Sequence, residues 1–457
     1  MNNGTIIINS DASLGTASTS ISTTGSSTLQ TTTSITTSAR PISIASGITL
    51  SVDVPTGNTL TYPGVISGAT GSLHKIDTGT LTFSGTASST YGGQTTISAG
   101  NLSTTAVNVL SASSQVNLSS NLTLNGNNQT IGSLLGSGTA SLGAAQLSLG
   151  GDNTSTDFSG IITGATGSIV KQGSGTWTLS GSTQNTYGGQ TLISSGIVST
   201  ASANILSSSS QVSLSSNLTL NGNNQTIGSL LGPGTVSLGA AQLSLGGDNT
   251  STNFSGTITG AAGSIVKQGS GTFTMDASST YGATTVQAGR LNVASPANLT
   301  TNVTVTGGIL GGTGQITGSV QINAGGAITP GASIGTISID GSLTLDSGST
   351  TNIEINPTSS SLIAVSGTPG SASLAGTLNV TVDPGSYANF NQVFLTATGG
   401  VTGTFSALVL SPPLNGFSPR IVYGSTFASL VITPPLTFTP SQFTGNQAAL
   451  AAYLNSF

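Results

Sequence analysis

The sequence predicts an all-β chain wound as a parallel β-helix, a solenoid, and three observations carry that prediction. The first is a long repeat. Ser113 to Thr176 aligns with Ser209 to Thr272, 96 positions on, and six of the 64 aligned positions differ. The second is local pattern. Runs such as NLTLN, QLSLG, TWTLS and TLISS alternate apolar and polar residues between clusters of Gly, Asn, Asp and Ser, which signals short strands joined by tight turns. The third is composition. Only 4% of the 457 residues are charged, against about 25% in ordinary domains, while 35% are hydrophobic and 65 are Gly. In a stacked solenoid each strand lies ~4.8 Å above its equivalent. Like then stands on like, so charges repel, whereas Ser, Thr and Asn can hydrogen-bond along the row.

Residues 1–40 are rich in Ser and Thr and read as N-terminal coils or a cap. Residues 41–300 carry the repeats and read as the main β-helix. One phrase appears three times there, as DTGTLTFSGTASSTYGGQTTISAG, GSGTWTLSGSTQNTYGGQTLISSG and GSGTFTMDASSTYGATTVQAG. Three strands and three turns make a coil of roughly 20–25 residues. The 96-residue spacing is then four or five coils, and the phrase recurs because it is a coil segment extended by copying. Residues 301–357 read as terminal coils. Residues 435–457 hold a Pro-rich hinge within TPPLTFTPSQF, then TGNQAALAAYLNSF, whose Ala and Leu spacing is that of a helix.

Charge removes several functions. The formal net charge is −5, and the six bases, Arg40, Lys75, Lys171, Lys267, Arg290 and Arg420, are spread over the whole length. Nucleic-acid binding needs several cations on one face, and a polybasic membrane patch fails for the same reason. With no cysteine, disulfides, thiolate zinc sites and cysteine nucleophiles are out. No apolar run reaches the ~18 residues of a spanning helix. The start, MNNGTIIINS, lacks the basic and apolar regions of a secretory signal. The expectation is a chain that is either intracellular or a piece of something larger.

GASIG, Gly331 to Gly335, fits the G-x-S-x-G elbow around Ser333, but a strand-like TISIDGSLTL follows where the elbow needs a helix. The sole histidine, His74, replaces Val170 and Val266 of the other copies and reads as a substituted solenoid position. Lys75, Lys171 and Lys267 hold equivalent places and read as isolated cations on a neutral shaft, roughly 20 Å apart. Asp152 and Asp157 lie close in sequence, but the next copy pairs Asp248 with Asn253, so a loop corner is favoured over a glycosidase pair or a calcium site. Trp177 and Phe273 stand where the first copy has Leu81, and Tyr91, Tyr187 and Tyr281 are equivalent to one another; both sets read as packing rather than sugar platforms. T-x-T words occur once per long repeat, too sparsely for a Thr lattice of the ice-binding kind. No catalytic, cofactor-binding or metal-ligating residue is assigned.

The recurring phrase resembles the passenger-associated repeat of bacterial autotransporters, proteins of type V secretion. It is present as KIDTGTLTFSGTASSTYGGQTTISAGNL, KQGSGTWTLSGSTQNTYGGQTLISSGIV and KQGSGTFTMDASSTYGATTVQAGRL; the first departs at Ile76-Asp77 and the third lacks LSG. The stretch GTLNVTVDPGSYANFNQVFLTATGGVTGTFSAL is similar to the autochaperone-like cap of such passengers, placed here at 358–434. NQAALAAYL is similar to the start of their linker helix. The resemblance implies a right-handed β-helix with a C-terminal cap. It implies a non-catalytic passenger of stalk or adhesin type, displayed at the cell surface or secreted, whose signal and membrane barrel are not in this chain. Implied partners are its own outer-membrane barrel and the barrel assembly machinery, with a host-surface protein or glycan as a further candidate. No small-molecule substrate or cofactor is implied. The second reading is a β-helical lyase or glycosidase.

Overall fold

The structure, a computed structural model, describes residues 1–388, 390–434 and 444–454. It is an all-β, right-handed parallel β-solenoid with a mixed-sheet region toward its C-terminus. The chain divides into two compact units, Met1–Thr285 and Val286–Phe457.

In the first unit the chain visits three faces in turn. The first face starts with parallel strands Gly4–Ile8, Ser27–Thr31, Thr49–Asp53, Ser72–Ile76, Thr95–Ile97, Gln115–Leu118 and Ser133–Leu135. The second holds Ile35–Thr36, Thr59–Tyr62, Thr80–Phe83, Asn101–Thr104, Asn121–Thr123, Thr139–Ser141, Ile161–Gly164 and Thr186–Tyr187. The third holds Ile21–Thr23, Ile42–Ile44 and Ile66–Ser67. Further on it holds Gln129–Thr130, Gln146–Leu149, Ser168–Lys171, Thr191–Ile193, Gln211–Leu214 and Ser229–Leu231.

Alternation sorts side chains strictly. On the second face Leu60, Leu81, Leu102, Leu122, Ala140 and Ile162 stand in register on successive coils, and all are buried. One residue on, Thr36, Thr61, Thr82, Ser103, Thr123, Ser141, Thr163 and Thr186 form an unbroken rank of hydroxyls on the opposite side of the sheet, within which Thr82 and Ser103 are buried. The inward rank steps by 21, 21, 20, 18 and 22 residues from Leu60 to Ile162. The tightest coil is shorter than the 20–25 expected. Its turn holds Asn125 in the left-handed region at φ 50°, where Asn is tolerated.

The copies do not stack face on face. From Leu73 the first face rises through Thr95, Val116 and Leu134, then from Gly136 to Phe158. That is four full coils. Ile169, the equivalent of Leu73, lies two strands further, on the third face. The unit of 96 residues is therefore four and two-thirds coils. The next copy repeats the offset: Ile169 rises through Thr191, Val212 and Leu230, then Gly232 to Phe254. Ile265 follows, beside Leu243 on the second face. Each duplication thus turns the same phrase by a third of a revolution.

In the second unit, strands Arg290–Val293, Ile309–Gly312, Ala327–Pro330, Thr350–Asn356, Thr377–Val382 and Ala407–Ser411 stack in parallel. Antiparallel pairing then enters. Phe427–Thr433 pairs antiparallel with both Phe390–Ala397 and Ser418–Tyr423, covering the core around Phe394 and Leu395. A helix spans Asn446–Leu454, where the Ala and Leu spacing predicts one. The rest of the proline-rich hinge, 435–443, lies outside the described residues.

Candidate functional site

The repeated phrase places one charged side chain in the core, and this corrects the sequence expectation. Lys75, Lys171 and Lys267 are not cations on the shaft surface; their exposures are 0%, 1% and 1%. Each sits in an inward rank. Lys75 lies between Val52 and Ile97, Lys171 between Leu149 and Ile193, and Lys267 beside Leu245. The alternation forces this. In Leu73-His74-Lys75 and Ile169-Val170-Lys171 the apolar residue points inward, so the lysine two positions on does too. Nor do the three share a face, because each copy is turned by a third of a revolution.

Main-chain carbonyls receive each ammonium. Lys171 Nζ donates to Gln172 O (2.7 Å) and Gly173 O (3.0 Å) in its own turn and to Ser195 O (3.4 Å) one coil on. Lys75 Nζ repeats this with Ile76 O (2.7 Å), Asp77 O (2.6 Å) and Ala99 O (3.5 Å). Lys267 Nζ donates to Gln268 O (2.5 Å) and Gly269 O (2.9 Å). Glycine keeps the corner tight: a Cβ on Gly173 (φ 68°) would meet Gly150 O at 1.9 Å. Burial pushes the Lys75 and Lys267 ammonium groups down to about 8 and lowers that of Lys171; Asp77 and Asp53, Asp248 and Asp152 respectively oppose the shift.

The other candidates do not converge. Ser333 lies on the turn between strands Ala327–Pro330 and Thr336–Asp340, so a strand and no helix follows it. Its Oγ donates to Glu354 Oε1 (3.1 Å), at a cleft of about 90 Å³ that Arg290 also lines. Arg290 Nη2 is turned to Gly331 O (2.7 Å). His74 Nε2 pairs with Ser98 Oγ (2.6 Å) on the next coil, and partial burial lowers its pKa. Asp152 accepts from Ser133 Oγ (2.6 Å) on the coil before, whereas Asp157 accepts from Ser180 on the coil after. Their carboxylates thus engage opposite neighbours. Asp248 repeats the first arrangement with Ser229 (2.6 Å), and Asn253 bonds Asp276. Among the described residues no group of three or more His, Cys, Asp or Glu could hold a metal.

Trp177, Phe273, Tyr91, Tyr187 and Tyr281 are all buried. Trp177 packs beside Phe158, ring centroids 6.4 Å apart. Tyr91 Oη meets Thr95 Oγ1 at 2.7 Å, and Tyr187 meets Thr191 at 2.8 Å. The T-x-T words do meet on successive coils, as Thr59/Thr61 and Thr80/Thr82, but Asn101/Ser103 and Asn121/Thr123 follow. Sequence reading missed the Arg40–Asp11 ion pair (2.8 Å). Arg40 is fully buried and also donates to Leu14 O and Thr16 O. Its place just before Pro41, without a hydrophobic partner pattern, gave no signal.

Residues 73–103, 169–199 and 265–293 match the passenger-associated-transport-repeat family, the repeat of autotransporter passenger domains. Each match opens two residues before the buried lysine. Compared with curated proteins, the chain has no match.

Proposed function

We propose that this chain is a non-catalytic autotransporter passenger, a β-helical stalk or adhesin displayed at the cell surface or released from it. The observation that carries the reading is the three transport-repeat segments, whose strands lie in parallel solenoid coils. Stacking itself would assist export. Each coil that docks on its predecessor buries a rank such as Leu102, Leu122 and Ala140, and that burial opposes backsliding of the chain. On this reading residues 358–434 act as the C-terminal cap. The partners are an outer-membrane barrel of the same protein and the barrel assembly machinery, with a host protein or glycan as ligand.

The test is to join the chain to a signal peptide and an autotransporter barrel in a Gram-negative host. The expected result is a chain that reaches the surface of intact cells, folded and protease-resistant. Leu102→Ala and Leu122→Ala together should lower surface delivery. Retention in the periplasm at normal barrel insertion contradicts the reading.

A further inference from the structure

The chain has three lysines, Lys75, Lys171 and Lys267, and each ends in the same surroundings at a different corner of the first unit. The ammonium meets two carbonyls of its own turn. In the first two copies it also meets a carbonyl two residues past the next coil's strand, Ala99 O or Ser195 O. Glycines shape the space above and below. A Cβ on Gly196 would come within 2.8 Å of Lys171 Nζ, and one on Gly150 within 3.1 Å. These carbonyls point into a closed corner, and buried acceptors demand a donor. An ammonium offers three N–H donors, one for each oxygen around Lys171.

We propose that the corner of each repeat is a monovalent-cation site made of main-chain carbonyls, which the chain fills with its own lysine ammonium. The ligand class is a primary alkylammonium ion: directional N–H donors on an apolar stem, the stem lying between aliphatic residues such as Leu149 and Ile193. Lys75 and Lys171 join one coil to the next, at corners whose carbonyls have little backbone donation of their own: of the Lys75 acceptors Ile76 O takes a long bond from Val54 N (3.5 Å). The four-and-two-thirds-coil offset sends one such clamp to each of the three corners. This holds whether or not the chain is exported.

The test is Lys171→Ala, refolded with n-propylammonium chloride, which restores the three methylenes and the ammonium the substitution removes. The expected result is a thermal midpoint lowered by roughly 5 °C and largely recovered by n-propylammonium. Tetramethylammonium chloride at equal concentration has no N–H and should not restore it, and neither salt should shift the parent chain. Equal effects of the two salts, or none from either, overturn the proposal. Should Lys171→Ala not fold, amine acylation of the parent chain decides. Folded protein should show no modified lysine by mass spectrometry and unfolded protein three. Acylation of Lys171 in folded protein at the rate of an exposed lysine overturns the proposal.

Discussion

Trp177 shows how a residue's cost depends on the copy it sits in. Its indole Nε1 is buried without a partner, and its equivalents are Leu81 and Phe273. Trp177→Phe removes the unpaired donor along with some packing. It should change stability by less than about 1 kcal/mol, whereas Trp177→Ala should cost ~3–5 kcal/mol; urea unfolding followed by circular dichroism measures both. The buried lysines set a pH dependence. In the folded chain Lys75 and Lys267 lose their protons near pH 8, in the unfolded chain near 10.5. Between those values the unfolded state holds more protons, so stability rises with pH. Tyr91, Tyr187 and Tyr281 act oppositely. Burial raises them to about 12 from 10, so stability falls as pH passes from 10 to 12. Urea midpoints should peak near pH 10, and the double change Lys75→Met and Lys267→Met should flatten the rise from pH 8. A monotonic decline from pH 7 would contradict the burial of these amines. The phase of the alternation already placed the lysines inward. The sequence expectation went astray because main-chain carbonyls, the groups that receive the charge, leave no mark in side-chain pattern.

Strands are held here less by individual side chains than by ranks. Thr123 and Ser141 are neighbours in the hydroxyl rank of the second face, ~4.8 Å apart along the stack. Thr123→Asp or Ser141→Asp alone should cost less than about 0.5 kcal/mol. Together they should cost up to about 1 kcal/mol more than their sum, because two carboxylates then face each other. Additivity in a double-mutant cycle would mean that the two side chains are not stacked. Strand positions were legible because alternation survives in runs as short as NLTLN. Coil length was not, because turns vary. Leu122 to Ala140 takes 18 residues and Ala140 to Ile162 takes 22. For the same reason the repeat length alone could not reveal that successive copies land on different faces. The antiparallel strands Ser418–Tyr423 and Phe427–Thr433 share the alternation of parallel ones, and only family resemblance pointed to a cap there.

At the scale of the first unit, copying by 96 residues works because the three faces are interchangeable. Each offers a mainly apolar inward rank and a mainly uncharged outer one. Removing one whole copy, residues 113–208, rejoins Ala112 to Ser209, the equivalent of Ser113. The shortened chain should keep its β circular dichroism and a cooperative unfolding transition. Removing ten residues fewer, 113–198, should instead break register and yield a protease-sensitive product. The central claim is that a nearly uncharged chain is wound into coils whose equivalent strands lie directly on one another. Because the chain has no cysteine, paired substitutions test this directly. Thr123→Cys with Ser141→Cys places two thiols in register on adjacent coils at a spacing within disulfide reach. That pair should oxidise to an intramolecular disulfide in the folded protein. Thr123→Cys with Ala140→Cys, one residue out of phase and on opposite sides of the sheet, should stay reduced. Failure of the first pair to close, or equal closure of both, would contradict the stacked solenoid.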